Sequence, residues 1–255
     1  MTSRRSTRVS SANVRTGSFI PYGFHPKRAV KTSATRSTYD AAVVESSVPG
    51  RQRDAERTKE EILDVATREF ADQGFAGARV DEIADQTRTT KRMIYYYFGS
   101  KEQLFVAVLE RAYATIRAAE QTIEVDHLDP PAAIRRLAEL TFDHQESHPD
   151  FSRLVSIENI HRAKHIAGRA DFAGQNTPAI ELIERILDRG RRDGSFTRDV
   201  DAIDLHMMIS AFCIFRMANR HTFGAIFDRD LVDPELRDRY RQMLGDIVVD
   251  YLGAS

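Results

Sequence analysis

The chain has 255 residues, 42% of them hydrophobic and 29% charged, with a formal net charge of −1. This is the composition of a soluble globular protein with one long domain or two short ones. The longest nearly unbroken apolar run, Met207 to Phe215 with Ser210 inside it, falls far short of the ~20 residues that cross a bilayer, so no membrane span is expected. The single cysteine, Cys213, excludes an internal disulfide. Nothing has zinc-finger spacing, and a reducing, cytoplasmic location is expected.

Charge is unevenly placed. Residues 1–50 carry +6, residues 51–101 are neutral, and residues 102–255 carry −7. The first stretch is crowded with Ser, Thr and Arg and lacks an amphipathic period. It reads as a disordered basic tail, because too few apolar side chains cluster there to offset the entropy of ordering them. A transit segment, an over-extended start and a DNA-attracting arm all fit that composition.

From Arg53 the period becomes helical. Ile62, Leu63, Ala66 and Phe70 recur at three- and four-residue intervals, and Gly74-Phe75 reads as a left-handed helix stop. Val80, Ile83 and Ala84 imply a short second helix, and a third begins near Thr89 or Thr90 and runs to Phe98. Two short helices joined this tightly, after a longer one, form the plan of a helix-turn-helix unit. Residues 51–101 are therefore assigned to a helix-turn-helix head, and residues 102–255 to a helical body.

In the body, Ser100 and Gln103 fit a capping box for a helix whose inward face is Leu104, Phe105, Val108, Leu109, Ala112 and Ile116. Pro130 starts the next helix, which Pro149 halts; a further helix carries Phe151, Leu154 and Val155, and another spans Thr177-Pro178 to about Arg192. Between Ile203 and Ala218 apolar residues point in every direction, so this helix is expected to be covered on more than one side. With the last helix, opened by Asp233-Pro234, it could dock on a second copy as a four-helix bundle. No strand is expected anywhere, and the fold class is all-α.

The head's chemistry favours a polyanion. Arg88, Lys91, Arg92 and Lys101 fall between Thr87 and Lys101 with no acid among them. A helix from Thr90 to Phe98 is about 13 Å long and can present its first turns to base edges in a major groove ~12 Å wide. The fork of Arg92 suits guanine, whereas Lys91 suits a phosphate or a single acceptor. Ile94 and Phe98 form the core pair of this helix, leaving Tyr96 and Tyr97 outward, where a phenol can bond a phosphate. Lys101 sits on the first turn of the following helix, an unfavourable place for a cation unless an anion docks there too.

The segment Arg57 to Tyr113 resembles the DNA-binding head of the TetR/AcrR family of bacterial repressors. The resemblance is carried by Gly74-Phe75, Ile83-Ala84 and the string Thr89-Thr90-Lys91-Arg92-Met93-Ile94-Tyr95-Tyr96-Tyr97-Phe98-Gly99-Ser100-Lys101-Glu102. It implies an all-helical homodimer that reads a palindrome in double-stranded DNA and is released by a small-molecule inducer bound in the body. It also implies that Thr90, Lys91, Arg92, Tyr96, Tyr97 and Lys101 contact DNA. Two positions depart from the family pattern: the usual turn glycine is Arg88, and the small hydroxyl residue that often caps the second helix is Arg79. The strings Lys91-Arg92-Met93 and Glu158-Asn159-Ile160-His161 resemble those of regulators of aromatic catabolism, which implies a small aromatic acid as inducer.

For the ligand site, the stripe Phe151, Leu154 and Val155 continues as Glu158, His161 and His165. Polar groups on a core-facing stripe need partners, which an inducer could supply, with Phe142, Asn159 and His206 as further lining. The alternative is a helix end emerging into water. Glu158, His161 and His165 could also ligate a metal with His206 completing the set, although a di-iron site needs a second Glu-x-x-His motif. His144 and His148, just before Pro149, read as a solvated helix end. No phosphate loop, nucleophile elbow or paired carboxylates point to an enzyme, and no cofactor is expected. The rival functions are a metal-binding helical enzyme and an adaptor whose head binds protein.

Overall fold

The computed structural model describes residues 48–253, so the basic tail expected over residues 1–50 lies almost wholly outside the described residues. Every regular element among the described residues is an α-helix: α1 Val48–Gly77, α2 Val80–Gln86, α3 Lys91–Phe98, α4 Lys101–Gln121, α5 Pro130–Ser147, α6 Pro149–Ile160, α7 Ala170–Asp193, α8 Ala202–Ala218, α9 Arg220–Phe227 and α10 Pro234–Tyr251. The caps are those the sequence supplies. Thr90, Ser100, Asp129, Asp201 and Asp233 each accept a backbone N–H of the following turn, satisfying donors that a helix start otherwise leaves without partners.

At Gly74 the backbone turns to φ 69°, ψ 171°, breaking α1 before its last short turn. A side chain would be strained at that φ even though the space around it is open. The break lets Phe75 fold back on Phe70 and Phe105, with ring centroids 6.3 and 5.2 Å away. The helix therefore ends over the core it helps to form.

Two apolar cores share the molecule. One joins Ile62, Ala66 and Phe70 of α1, Ile83 of α2 and Ile94 of α3 to Leu104, Phe105, Val108 and Leu109 of α4. The head's core thus extends eight residues past position 101, and it also takes in Leu154 and Phe172. The other core lies among α5, α7, α8 and α10, around Ile134, Phe142, Ile183, Leu205, Leu244 and Val248. Arg237 and Arg241 of α10 clamp Asp143, Glu146 and Glu139 of α5 across its rim.

Several elements differ from the expectation. α7 begins at Ala170 rather than at Thr177, with Pro178 inside it; the extra turns are held by Phe172, which is 6% exposed and packs edge-on to Tyr113 at 5.8 Å. The eight-residue α9 has no expected counterpart. None of its residues is buried, and its apolar positions, Phe223, Ile226 and Phe227, are too few to mark a helix in the sequence. Glu158, His161 and His165 do not share a helical face: α6 stops at Ile160, and Arg162 and Ala163 turn left-handed at φ 58° and 57°. Among the described residues no group of three or more His, Cys, Asp or Glu is placed to hold a metal. No described helix is long and apolar enough to cross a membrane.

His144 and His148 also depart from the expected solvated end. His144 is 6% exposed, and the two rings stack at 4.1 Å; the ring lies within reach of the Arg117 charge on α4. Burial, aided by His148 and Arg117, drives the His144 pKa down from 6.5 to about 4. The unfolded chain therefore takes up a proton near pH 6.5 that the native state refuses until about pH 4. Stability contributed by neutral His144 is complete above 6.5 and declines as pH falls through that window, by about 3 kcal/mol at most. The expected result is that His144→Gln flattens the fall in urea midpoint between pH 7 and pH 4; an unchanged pH slope would contradict the burial of a neutral ring.

Candidate nucleic-acid interface

α3 is an eight-residue helix held by one deep anchor, Ile94, which is 1% exposed. Thr90 Oγ1 accepts from the Met93 N–H at 3.3 Å to fix its start. Gly99 at φ 77° ends it so that Ser100 can open α4 at once. With Ile94 inward, the opposite face carries Lys91, Arg92, Tyr95 and Tyr96, all exposed, and Tyr96 stands 77% in solvent. Tyr97 is half-buried against the head core, its ring 5.4 Å from that of Tyr96 and 6.0 Å from Lys59 Nζ. A groove of about 870 Å³ runs between Thr90, Arg92, Met93 and Tyr96 of α3 and Asp54, Thr58 and Lys59 of α1.

Both departures from the family pattern have a local answer. Thr87 closes α2 in extended conformation, its N–H on the Ala84 carbonyl and its hydroxyl on Ile83 and Ala84 oxygens. Arg88 is absent from the positive-φ residues, so this turn carries no left-handed strain. At the start of α2 no side chain caps the first turn; Glu69 of α1 instead fixes the entry to the helix, its Oε1 accepting the Arg79 N–H at 3.0 Å.

Two of the cations expected at the surface already have partners. Lys91 Nζ lies 2.9 Å from Asp81 Oδ2, which raises its pKa above the ordinary lysine value. The pair is about half exposed on both sides and so is worth little to the fold. Lys101 Nζ donates to the Ala76 carbonyl at 3.3 Å and lies 5.2 Å from the Phe75 ring centroid. The odd position of a lysine on the first turn of α4 thus has a structural answer: it meets a carbonyl at the end of α1.

The residues expected around a ligand separate into four places. Glu158 and His165 form a buried clasp, Oε2 to Nδ1 at 2.6 Å, while Oε1 accepts the N–H of His165 and Ile166 at 2.7 and 3.3 Å. The His165 ring packs on Phe75 and Phe105 at 4.5 and 5.0 Å, and His161 meets Phe75 at 5.8 Å. These three side chains therefore pin the α6–α7 turn to the head. Asn159 is exposed and donates to its own helix at Val155. Phe142 lies in the second core beneath the Arg216 guanidinium, 4.1 Å away. His206 is mostly buried, and its pKa is lowered by burial and by Arg117.

Sequence reading passed over the polar group that His206 belongs with. Arg117 and Glu120 of α4 are 7% and 4% exposed, with NH1 and Oε2 2.7 Å apart. Tyr113 lies one turn earlier, between Phe151 and Phe172. The available signal was an i, i+3 charge pair in the last turns of an amphipathic helix, which solvation explains in most proteins.

A capped, exposed, basic and phenolic helix following a short helix across a tight turn defines a DNA-binding regulator of the helix-turn-helix class. Residues 62–108 match the family model of bacterial regulatory proteins of the tetR family, and residues 130–248 match the tetracyclin repressor-like C-terminal domain. The HTH-type transcriptional repressor NicS of Pseudomonas putida is 33% identical over 199 residues, covering 78% of this chain and 94% of that protein. The HTH-type transcriptional repressor SCO4008 of Streptomyces coelicolor is 32% identical, covering 62% of this chain and 78% of its own. Among solved structures, the transcriptional regulator SCO4942 of Streptomyces coelicolor aligns with a TM-score of 0.60 at 28% identity, covering 78% of this chain and 99% of that one. The chain belongs to the TetR family and is a DNA-binding transcriptional regulator.

The Asp81–Lys91 pair carries a prediction. Asp81→Asn is expected to raise affinity for random duplex DNA severalfold and to steepen its salt dependence by about one ion, because it frees the Lys91 ammonium and removes the acid paired with it. Fluorescence anisotropy across a salt series measures both, and unchanged affinity would show that Lys91 plays no part in binding.

Proposed function

We propose that this protein is a cytoplasmic, non-enzymatic repressor that binds a palindromic operator as a homodimer and is released by a small molecule held in its body. The observation that carries the reading is the outward face of α3, where Arg92 and Tyr96 stand exposed with Lys91 at the helix start. In it Arg92 reads base edges, Thr90, Tyr96 and Tyr97 hold phosphates and sugars, and Lys101 contacts the backbone by leaving the Ala76 carbonyl. The curated relatives named as transcriptional repressors support the direction of control.

The homodimer is supported by the outer side of α8 and α10. Leu205, Ile209 and Cys213 of α8 face inward, yet Ile203, Met207 and Phe215 remain 62%, 63% and 50% exposed. Ile247 and Tyr251 continue the apolar surface on α10. A second copy offers the same patch, so a two-fold contact is self-complementary. Cys213 is 1% exposed, and burial pushes its thiol up to about 12, which leaves it inert as a nucleophile.

The test is a footprint on the DNA upstream of the protein's own gene, followed by anisotropy with the protected duplex and a scrambled one. Arg92→Ala is expected to cost about 1–3 kcal/mol on the protected duplex and far less on the scrambled one. Lys101→Ala is expected to weaken both alike. Equal losses on both duplexes for Arg92→Ala would remove the base-reading role.

A second prediction concerns assembly. Met207→Glu is expected to shift the protein from dimer to monomer in analytical ultracentrifugation while leaving its helical circular dichroism unchanged. A wild-type monomer at micromolar concentration would end the palindrome reading.

A further inference from the structure

The Arg117–Glu120 pair is an unusual thing to bury. Within 2.7 Å, the two groups are close enough to attract but not aligned to hydrogen-bond, since Glu120 Oε2 and Arg117 Nε both lack hydrogen-bond partners. A buried pair offsets its desolvation only when the remaining donors and lone pairs are satisfied, and here they are not. Burial pushes the Glu120 carboxyl up to about 7 although Arg117 opposes the shift. Near neutral pH the guanidinium is therefore partly deprived of the one ion-pair partner it has among the described residues.

The surroundings are arranged around the same charge. Arg117 acts on Tyr113 of its own helix, on His144 of α5 and on His206 of α8. Both imidazoles are shifted toward the neutral form, and His144 Nε2 is buried without a partner. A cavity of about 170 Å³ on the α4–α7 seam reaches Arg117 and Glu120, walled by Ile123, Pro178 and Leu182, with Glu181 and Arg185 also lining it. On the other side of the cluster, Tyr113 meets Phe151 and Phe172 edge-on at 5.2 and 5.8 Å. A void of that size is below the usual range for drug-sized ligands, so it suits a single ring or a short chain.

We infer that Arg117 is the anchor of a binding site for a small organic carboxylate, which displaces Glu120 from the guanidinium. The inference rests on the reading above that the body takes a small ligand. The incoming carboxylate accepts two N–H bonds in the fork of Arg117, one of them from the Nε that is now without a partner. Glu120 takes up a proton or turns to the cavity, and Tyr113, His144 and His206, all held toward their neutral forms by burial, set no second charge against the ligand.

Calorimetry on the full chain with benzoate, and with benzamide as its uncharged counterpart, tests the site. Benzoate is expected to bind at least about tenfold more tightly than benzamide, and Arg117→Gln to remove that preference. Glu120→Gln is the sharper variant. It deletes the competing carboxylate and is expected to tighten benzoate binding severalfold, whereas a pair serving only the fold gives no tightening. Circular dichroism and duplex affinity identify variants that remain folded. No heat with benzoate, cyclohexanecarboxylate or acetate on wild-type protein overturns the inference, as does tight benzoate binding retained in folded Arg117→Gln. A wild-type protein that binds benzoate but no duplex would sink the repressor reading instead, because the calorimetry uses no DNA.

Discussion

The structure depends on α4 belonging to both halves of the molecule. Its first turns place Leu104, Phe105, Val108 and Leu109 in the core that also holds α1, α2 and α3. Its last turns carry Tyr113, Arg117 and Glu120, and the helix packs along α7 and α5. A helix of 21 residues moves nearly as a rod, since its backbone bonds are made within itself. Only Gly99 and Ser100 separate it from α3. Whatever displaces its far end must therefore be accommodated where the exposed tyrosines and Arg92 stand.

The seam between the halves is built to resist independent motion. The Glu158–His165 clasp fixes the α6–α7 turn, and its imidazole lies on Phe75 and Phe105 of the head. Arg153 of α6 reaches Asp72 of α1 at 2.5 Å, and Arg111 of α4 reaches Glu60 and Asp64. The surface ion pairs contribute little each. The buried clasp matters more, because removing the carboxylate would leave two backbone donors and a ring nitrogen inside the protein without partners.

Charge follows the same division of labour. The head is neutral overall, yet its acids lie on α1 and α2 while α3 has none. Asp81 reaches α3 and neutralises Lys91, and Asp54 lines the groove beside Arg92 and Tyr96. Within the body, the opposite arrangement holds: a guanidinium is taken out of water and given an imperfect partner. The first pattern places positive charge where a polyanion can meet it, and the second holds Arg117 inside the body, as Arg216 is held inside beside Glu146.

The periodic and capped elements were legible in the residues themselves. Helix starts at Thr90, Ser100, Asp129 and Asp233, the stop at Gly74 and the outward Tyr96 follow from local rules of capping, spacing and φ, which need no distant partner. Tertiary packing decided the rest. His144 is buried at the end of α5 by its tertiary neighbours, α7 is lengthened by the burial of Phe172, and two left-handed residues break the single face of Glu158, His161 and His165. Arg117 and Glu120 were the least legible of all, because a charge pair one turn apart reads the same whether it faces water or a core. Burial is a property of what other segments cover, and no local pattern encodes it.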